Sequence, residues 1–331
     1  MSSGEKGELI PAATFEKIPR LANDNAARED MRVVSLRIDP CFAALDPSGA
    51  AECQNQVRLI FQPTKVDSAD ASLNTQDAAV HAFYAMPRAE LTALAKEILA
   101  AKRGARGSLR TPLGVHPLIE AQGLAGTFAT DLKAAVLRHA GKANLTRLTF
   151  MTREPSRQPL WKFGGFDIAG ARHTKMKVAS MGEIAEQSFS TLGRNGQSTP
   201  AIQSPDDLSL FFRASSAQSA TPAAVKKAFT AALRVQNPSM HSPDTVDCVS
   251  CHTTTSARIF AEKNANQSAT DNPARFTSRF NVALTKSPAA ERPDNLRAFG
   301  YLGTEVAISQ RTANESAAVA EYVNAKILLS R

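Results

Sequence analysis

The 331-residue chain predicts an α+β protein: an N-terminal region built on an antiparallel sheet, followed by a mainly α-helical C-terminal region. Two observations carry that expectation. Between residues 31 and 200, short stretches alternate polar with apolar side chains and favour β-branched and aromatic residues, the pattern of half-buried strands. Beyond residue 200 the apolar positions recur at helical spacing, and the segments open on capping residues.

Residues 1–30 are polar, carry scattered Pro and Asn and show no period, so they are expected to form a flexible leader. Two strands follow at 32–38 and 56–61, with Cys41 and Cys53 in the connection between them. A disulfide there closes a short loop and contributes about 3 kcal/mol by loop entropy; two unpaired thiols are the alternative. Residues 76–103 read as a helix interrupted or restarted at Pro87, with Leu91, Leu94, Ile98 and Leu99 on one face and Gly104 as the stop. A second helix is expected at 127–140, with Phe128, Leu132, Ala135 and Leu137 turned inward. Lys102, Arg103, Arg106 and Arg110 sit where cations complement a helix C-terminus.

Further strands are expected at 145–151, 161–168 and 175–181. Gly164-Gly165 inside one of them suggests a bulge or a close approach to the backbone. Residues 182–204, rich in Ser, Gly, Gln and Thr, read as a linker that separates a region 31–200 from a region 201–331. Helices then follow at 205–215 and 221–235, the second with Thr221 as N-cap and Pro222 in its first turn. The last helix opens on Thr312-Ala313-Asn314-Glu315, a capping box, and places Val319, Tyr322, Val323 and Ile327 on one face.

Composition excludes several classes. Apolar residues make up 43% and charged residues 21% of the chain, as in ordinary globular domains. No apolar run approaches the roughly 18 residues of a membrane-spanning helix. The net charge of +8 is spread evenly: residues 1–200 hold 25 basic and 20 acidic side chains, residues 201–331 hold 14 and 11. No basic arm for nucleic acid results, and a mildly positive surface suits an acidic protein partner. The chain contains no Gly-rich phosphate loop, nucleophile elbow or paired metal-binding His motif.

The informative pattern is Cys248-Val249-Ser250-Cys251-His252. Two thiols three residues apart at a helix start reach the two vinyl groups of one haem, and the adjacent His turns its imidazole to the iron. At these five residues the chain resembles c-type cytochromes. The resemblance implies one covalent haem c on Cys248 and Cys251, with His252 as proximal iron ligand. The 79 residues after His252 contain neither Met nor His, so this is not the arrangement of a standard class I domain, and a distal ligand comes from upstream. Candidates are His81, His116, His139, His173, Met86, Met151, Met176 and Met181, together with the adjacent pair Met240 and His241 in the loop before the motif.

A filled sixth position implies electron transfer with a redox partner protein. An open one implies small-ligand binding, in a secreted or surface-attached binding protein, or weak peroxidase activity. Covalent haem attachment takes place where disulfides also form, which implies a periplasmic or extracellular protein. Met1 to Arg20 lacks the design of a signal peptide; a mature form is expected, compatible with a lipid anchor on its precursor. Two rival chemistries share the same cysteines. One is a Cys-x-x-Cys thiol-disulfide oxidoreductase; the other is a zinc site of His241, Cys248, Cys251 and His252.

Overall fold

The computed structural model describes residues 2–19, 21, 25–45, 51–66, 73–75, 78–102, 113–154, 159–191, 193–280, 295–303 and 305–328. The chain opens with a short hairpin, β1 (Ser3–Gly4) and β2 (Gly7–Glu8), the single turn α1 (Ala12–Phe15) and α2 (Asn25–Asp30). The long strands β3 (Met31–Leu45) and β4 (Ala51–Val66) pair antiparallel. After β5 (Leu73–Thr75) come β6 (Ala78–Ala85) and the helices α3 (Arg88–Lys102), α4 (Pro117–Gln122) and α5 (Thr127–His139). Strands β7 (Leu145–Glu154), β8 (Leu160–Ala169), β9 (Arg172–Lys175), β10 (Glu186–Ser190) and β11 (Gln197–Thr199) complete one antiparallel sheet, ordered β11-β10-β8-β7-β6-β4-β3, with β5 beside β4 and β9 beside β8. The α+β class follows directly.

Strand alternation gives the sheet two faces with different work. Leu59, Ala82, Leu148 and Phe166 lie in one cross-strand row and join Leu91 and Leu94 of α3 and Ala135 of α5 in the first core. Each such buried side chain contributes roughly 1.5–3 kcal/mol. The other face turns Met151, Trp161 and Phe163 toward the C-terminal helices. These are α6 (Ala214–Ser219), α7 (Pro222–Val235), α8 (Cys248–Asn264) and α9 (Gln310–Tyr322), with a hairpin of β12 (Phe299–Leu302) and β13 (Glu305–Ile308) before the last.

Several expectations are corrected. The described part of residues 1–30 is not a free leader: Ile10, Phe15 and Ile18 are fully buried in the first core, and the Tyr84 hydroxyl donates to the Leu9 carbonyl at 2.8 Å. The segment before Pro87 is strand β6, because its β-forming Val80, Phe83 and Tyr84 pair with β4 and β7 on both sides. The expected linker 182–204 contains β10 and β11, which extend the sheet. The strand expected at 175–181 ends at Lys175, as β9. The helix expected at 205–215 is a 3₁₀ turn, Ser209–Phe212, followed by α6.

At Gly164-Gly165 the β7–β8 pairing runs without a shift, so there is no bulge. A Cβ on Gly165 would lie 2.7 Å from the Leu148 carbonyl oxygen, and glycine serves close strand packing instead. Thr221 caps α7 as expected, accepting from the Ala224 amide at 3.3 Å. Helix α9, however, is capped by Ser309, which accepts from the Thr312 amide. Glu315 is thereby free for a different partner, described below. Lys102 closes α3; Arg103, Gly104, Arg106 and Arg110 lie outside the described residues.

Candidate functional site

The site starts at the first turn of α8. Asp247 is its N-cap, fully buried, and accepts from the Ser250 amide at 3.0 Å. Gln187 of β10 fixes this turn from the sheet side. Its amide nitrogen donates to Asp247 at 2.8 Å, and its oxygen accepts from the Val249 amide at 2.9 Å. Residues three and four apart share a helix face, so Cys248, Cys251 and His252 line the same cavity.

The opposite wall is the second face of the sheet. Ile60, His81, Thr149 and Gly165 form one cross-strand row, and Arg37, Arg58, Phe83, Arg147 and Asp167 form the next. Ile60, His81, Phe83 and Phe163 line the cavity from this side. The region 31–200, in which the sequence shows no catalytic pattern, thus supplies half of the site.

His252 is set up as a one-sided base. Its Nδ1 lies 2.5 Å from the Leu296 carbonyl oxygen. A carbonyl only accepts, so Nδ1 carries the proton and Nε2 keeps its lone pair. The Phe163 ring packs 4.9 Å from the imidazole, centroid to centroid. Burial lowers the His252 pKa, partly offset by the Leu296 carbonyl, and the ring is neutral at neutral pH. The two thiols are free. Burial pushes the Cys248 thiol far up, with the neighbouring Asp247 and Cys251 adding to it; burial raises Cys251 as well.

A buried charge cluster forms the floor. Arg37 pairs with Asp39 and Glu315, Arg58 with Asp39 at 3.0 Å, and Arg311 with Glu315 at 2.7 Å. Burial by itself would raise the Glu315 carboxyl; Arg37, Arg311 and Arg58 outweigh it and hold it at about 2. Burial likewise lowers His81, and Arg58 and His252 push in the same direction.

The remaining candidates are placed as follows. Cys41 and Cys53 are disulfide-bonded across the β3–β4 hairpin. Met240 and His241 do not line the cavity. The His241 ring contacts Asp206 at 2.8 Å through Nε2 and Thr245 at 3.2 Å through Nδ1, and Met240 is exposed, its sulfur 3.7 Å from Arg234. Their loop is held in place by an Arg147–Asp244 ion pair and by Arg311, which donates to the His241 carbonyl at 3.1 Å. His116 caps α4, His139 contacts Glu90 and Glu97, and His173 contacts Thr14. Met86 and Met181 are buried away from the cavity, whereas Met151 and Met176 line it. Among the described residues no group of three or more His, Cys, Asp or Glu converges as a metal-binding set.

The chain matches no known protein family, no curated protein and no solved structure. Its site therefore stands on its own geometry. Arg37, Arg58, Arg311 and Glu315 were not singled out from the sequence. A signal existed in β3 and β4, where Arg37, Asp39 and Arg58 occupy inward positions of alternating strands, unusual for charges unless they are paired. No helix among the described residues is long and apolar enough to cross a membrane.

Proposed function

We propose that the protein is an extracytoplasmic monohaem c-type cytochrome that carries electrons. One observation supports this most: both thiols and the imidazole of a single helix turn line one cavity, and His252 has its Nε2 lone pair free while Nδ1 is committed to Leu296. A hydrogen bond from the far ring nitrogen orients a metal-bound imidazole.

The residues present fit a haem. The fit lies in the donor set: Cys248, Cys251 and His252 face one cavity, the residues that a covalently attached haem requires. Cys248 and Cys251 would carry the thioether links and His252 the iron. Ile60, Phe83 and Phe163 offer apolar contact, and the guanidiniums of Arg37, Arg58 and Arg311 suit the carboxylates of the porphyrin edge. A bound haem supplies a one-electron couple, whose potential is set by ligand and burial. The chain's own part is to hold His252 in one tautomer, to exclude water through the aromatic wall, and to present the carboxylate-binding floor.

Thiol-disulfide exchange fits less well, because it needs a stabilised thiolate, and here burial and Asp247 favour the protonated thiols. Zinc fits less well too, since both ring nitrogens of His241 contact Asp206 and Thr245. The Cys41–Cys53 disulfide is consistent with a periplasmic or extracellular location. The mildly positive surface suits an acidic redox partner.

The test is expression with export in a host that matures c-type cytochromes, followed by a haem-stained denaturing gel and reduced-minus-oxidised absorption. The stain is expected to stay with the denatured chain and the reduced spectrum to show sharp bands. A colourless exported chain would overturn the proposal.

A further inference from the structure

We propose that His81 is the second axial ligand of that haem, so that the N-terminal sheet completes an iron site begun by α8. The assignment rests on the attachment reading above and extends it, because it closes the sixth position and decides between electron transfer and small-ligand binding.

Four observations carry it. First, strand alternation places His81 on the sheet face that meets α8, between Ile60 of β4 and Thr149 of β7. Second, His81 and His252 line the same cavity, from opposite layers of the fold. Third, the His81 imidazole is half-buried yet has no hydrogen-bond partner among the described residues. Each of the other five histidines of the chain has at least one ring-nitrogen contact. A half-buried imidazole without a protein partner, facing a cavity, has its ring nitrogens open to water, a ligand or a metal in that space. Fourth, the alternatives are weaker. Met151 is 3% exposed and packed into the core with Trp161 and Phe163. The Met240–His241 loop is tied down elsewhere, and Met176, over Gly165 on the same wall, is the rival that the test below compares.

The consequence concerns the whole N-terminal region. With one imidazole from α8 and one from β6, both axial positions belong to the chain, and an exogenous ligand finds no open coordination site. The sheet is then a functional half of the cytochrome and not an appended domain.

The test uses the full exported chain, comparing wild type, His81→Ala and Met176→Leu by haem-stained denaturing gel, oxidised and reduced absorption, and carbon monoxide added to the reduced protein. Wild type and Met176→Leu are expected to be low-spin and unresponsive to carbon monoxide. His81→Ala is expected to keep its covalent haem, turn high-spin, take up carbon monoxide, and return to low-spin on adding imidazole. If the alanine variant fails to accumulate, His81→Met is expected to stay six-coordinate with a thioether-type spectrum. A His81 variant with covalent haem and the wild-type spectrum, or a wild type that binds carbon monoxide, overturns the His81 assignment alone. A wild type without covalent haem overturns the attachment reading and the ligand with it.

Discussion

Cys248 and Cys251 are half-buried thiols whose proton is favoured by their surroundings, which suits the proposed attachment better than thiol-disulfide exchange. In the haem-free chain, alkylation of Cys248 at neutral pH is expected to run well below the rate of a free thiol and to rise only in alkali, since a raised pKa leaves little thiolate at pH 7. Rapid labelling at pH 7 would favour the thiol-exchange chemistry. In the loaded protein, Cys251→Ala is expected to leave a single thioether and a weaker haem stain, and the Cys248→Ala/Cys251→Ala pair to lose the stain altogether. The Cys248-Val249-Ser250-Cys251-His252 pattern was legible in the sequence because its five residues are contiguous. His81 was on the candidate roster, but nothing singled it out there. Its place on the wall opposite Cys248 and His252 emerges only once its strand and face are known.

Gln187 shows how one element positions another. It is 1% exposed and bonds both the cap and the first-turn amide of α8, so β10 sets where the motif helix begins. Gln187→Ala leaves two buried polar groups short of a partner and is expected to cost about 1–3 kcal/mol in denaturant unfolding. A change within error would show that the helix start holds without the sheet. The Cys41–Cys53 disulfide sits at the other end of the sheet. Replacing both cysteines by serine is expected to lower stability by about 3 kcal/mol without changing haem content. Elements were legible where the period was long and uninterrupted, as in β3, β4, β7, β8, α5 and α7. They were misread where local composition and tertiary pairing disagree. Residues 78–85 run straight into a helix and were absorbed by it, although strands on both sides claim them. The Ser- and Gly-rich stretch around β10 and β11 reads as a loop until the neighbouring edge of the sheet is present.

At the scale of the molecule, the sheet and the last helix are joined by the buried cluster of Arg37, Asp39, Arg58, Arg311 and Glu315. Its strand half shows as charges at inward positions of β3 and β4, but nothing local joins that half to Arg311 and Glu315 far along the chain, and Glu315 resembles a capping residue. Glu315→Ala strands buried guanidiniums and is expected to destabilise the fold by about 3–5 kcal/mol. The pH dependence follows the sign of the shift. Glu315 is held at about 2 against an ordinary 4.5, so its contribution is complete above pH 4.5 and is lost as the pH falls toward 2. Urea unfolding across that range is expected to show the loss in wild type and its absence in Glu315→Ala; parallel curves would contradict the assignment. The central claim, a haem bonded through Cys248 and Cys251, is tested most directly by the intact mass of the denatured chain after export from a host that matures c-type cytochromes. The predicted result is the mass of the chain plus one haem, with no thiol left to alkylate. The bare chain mass with two alkylatable thiols would contradict it.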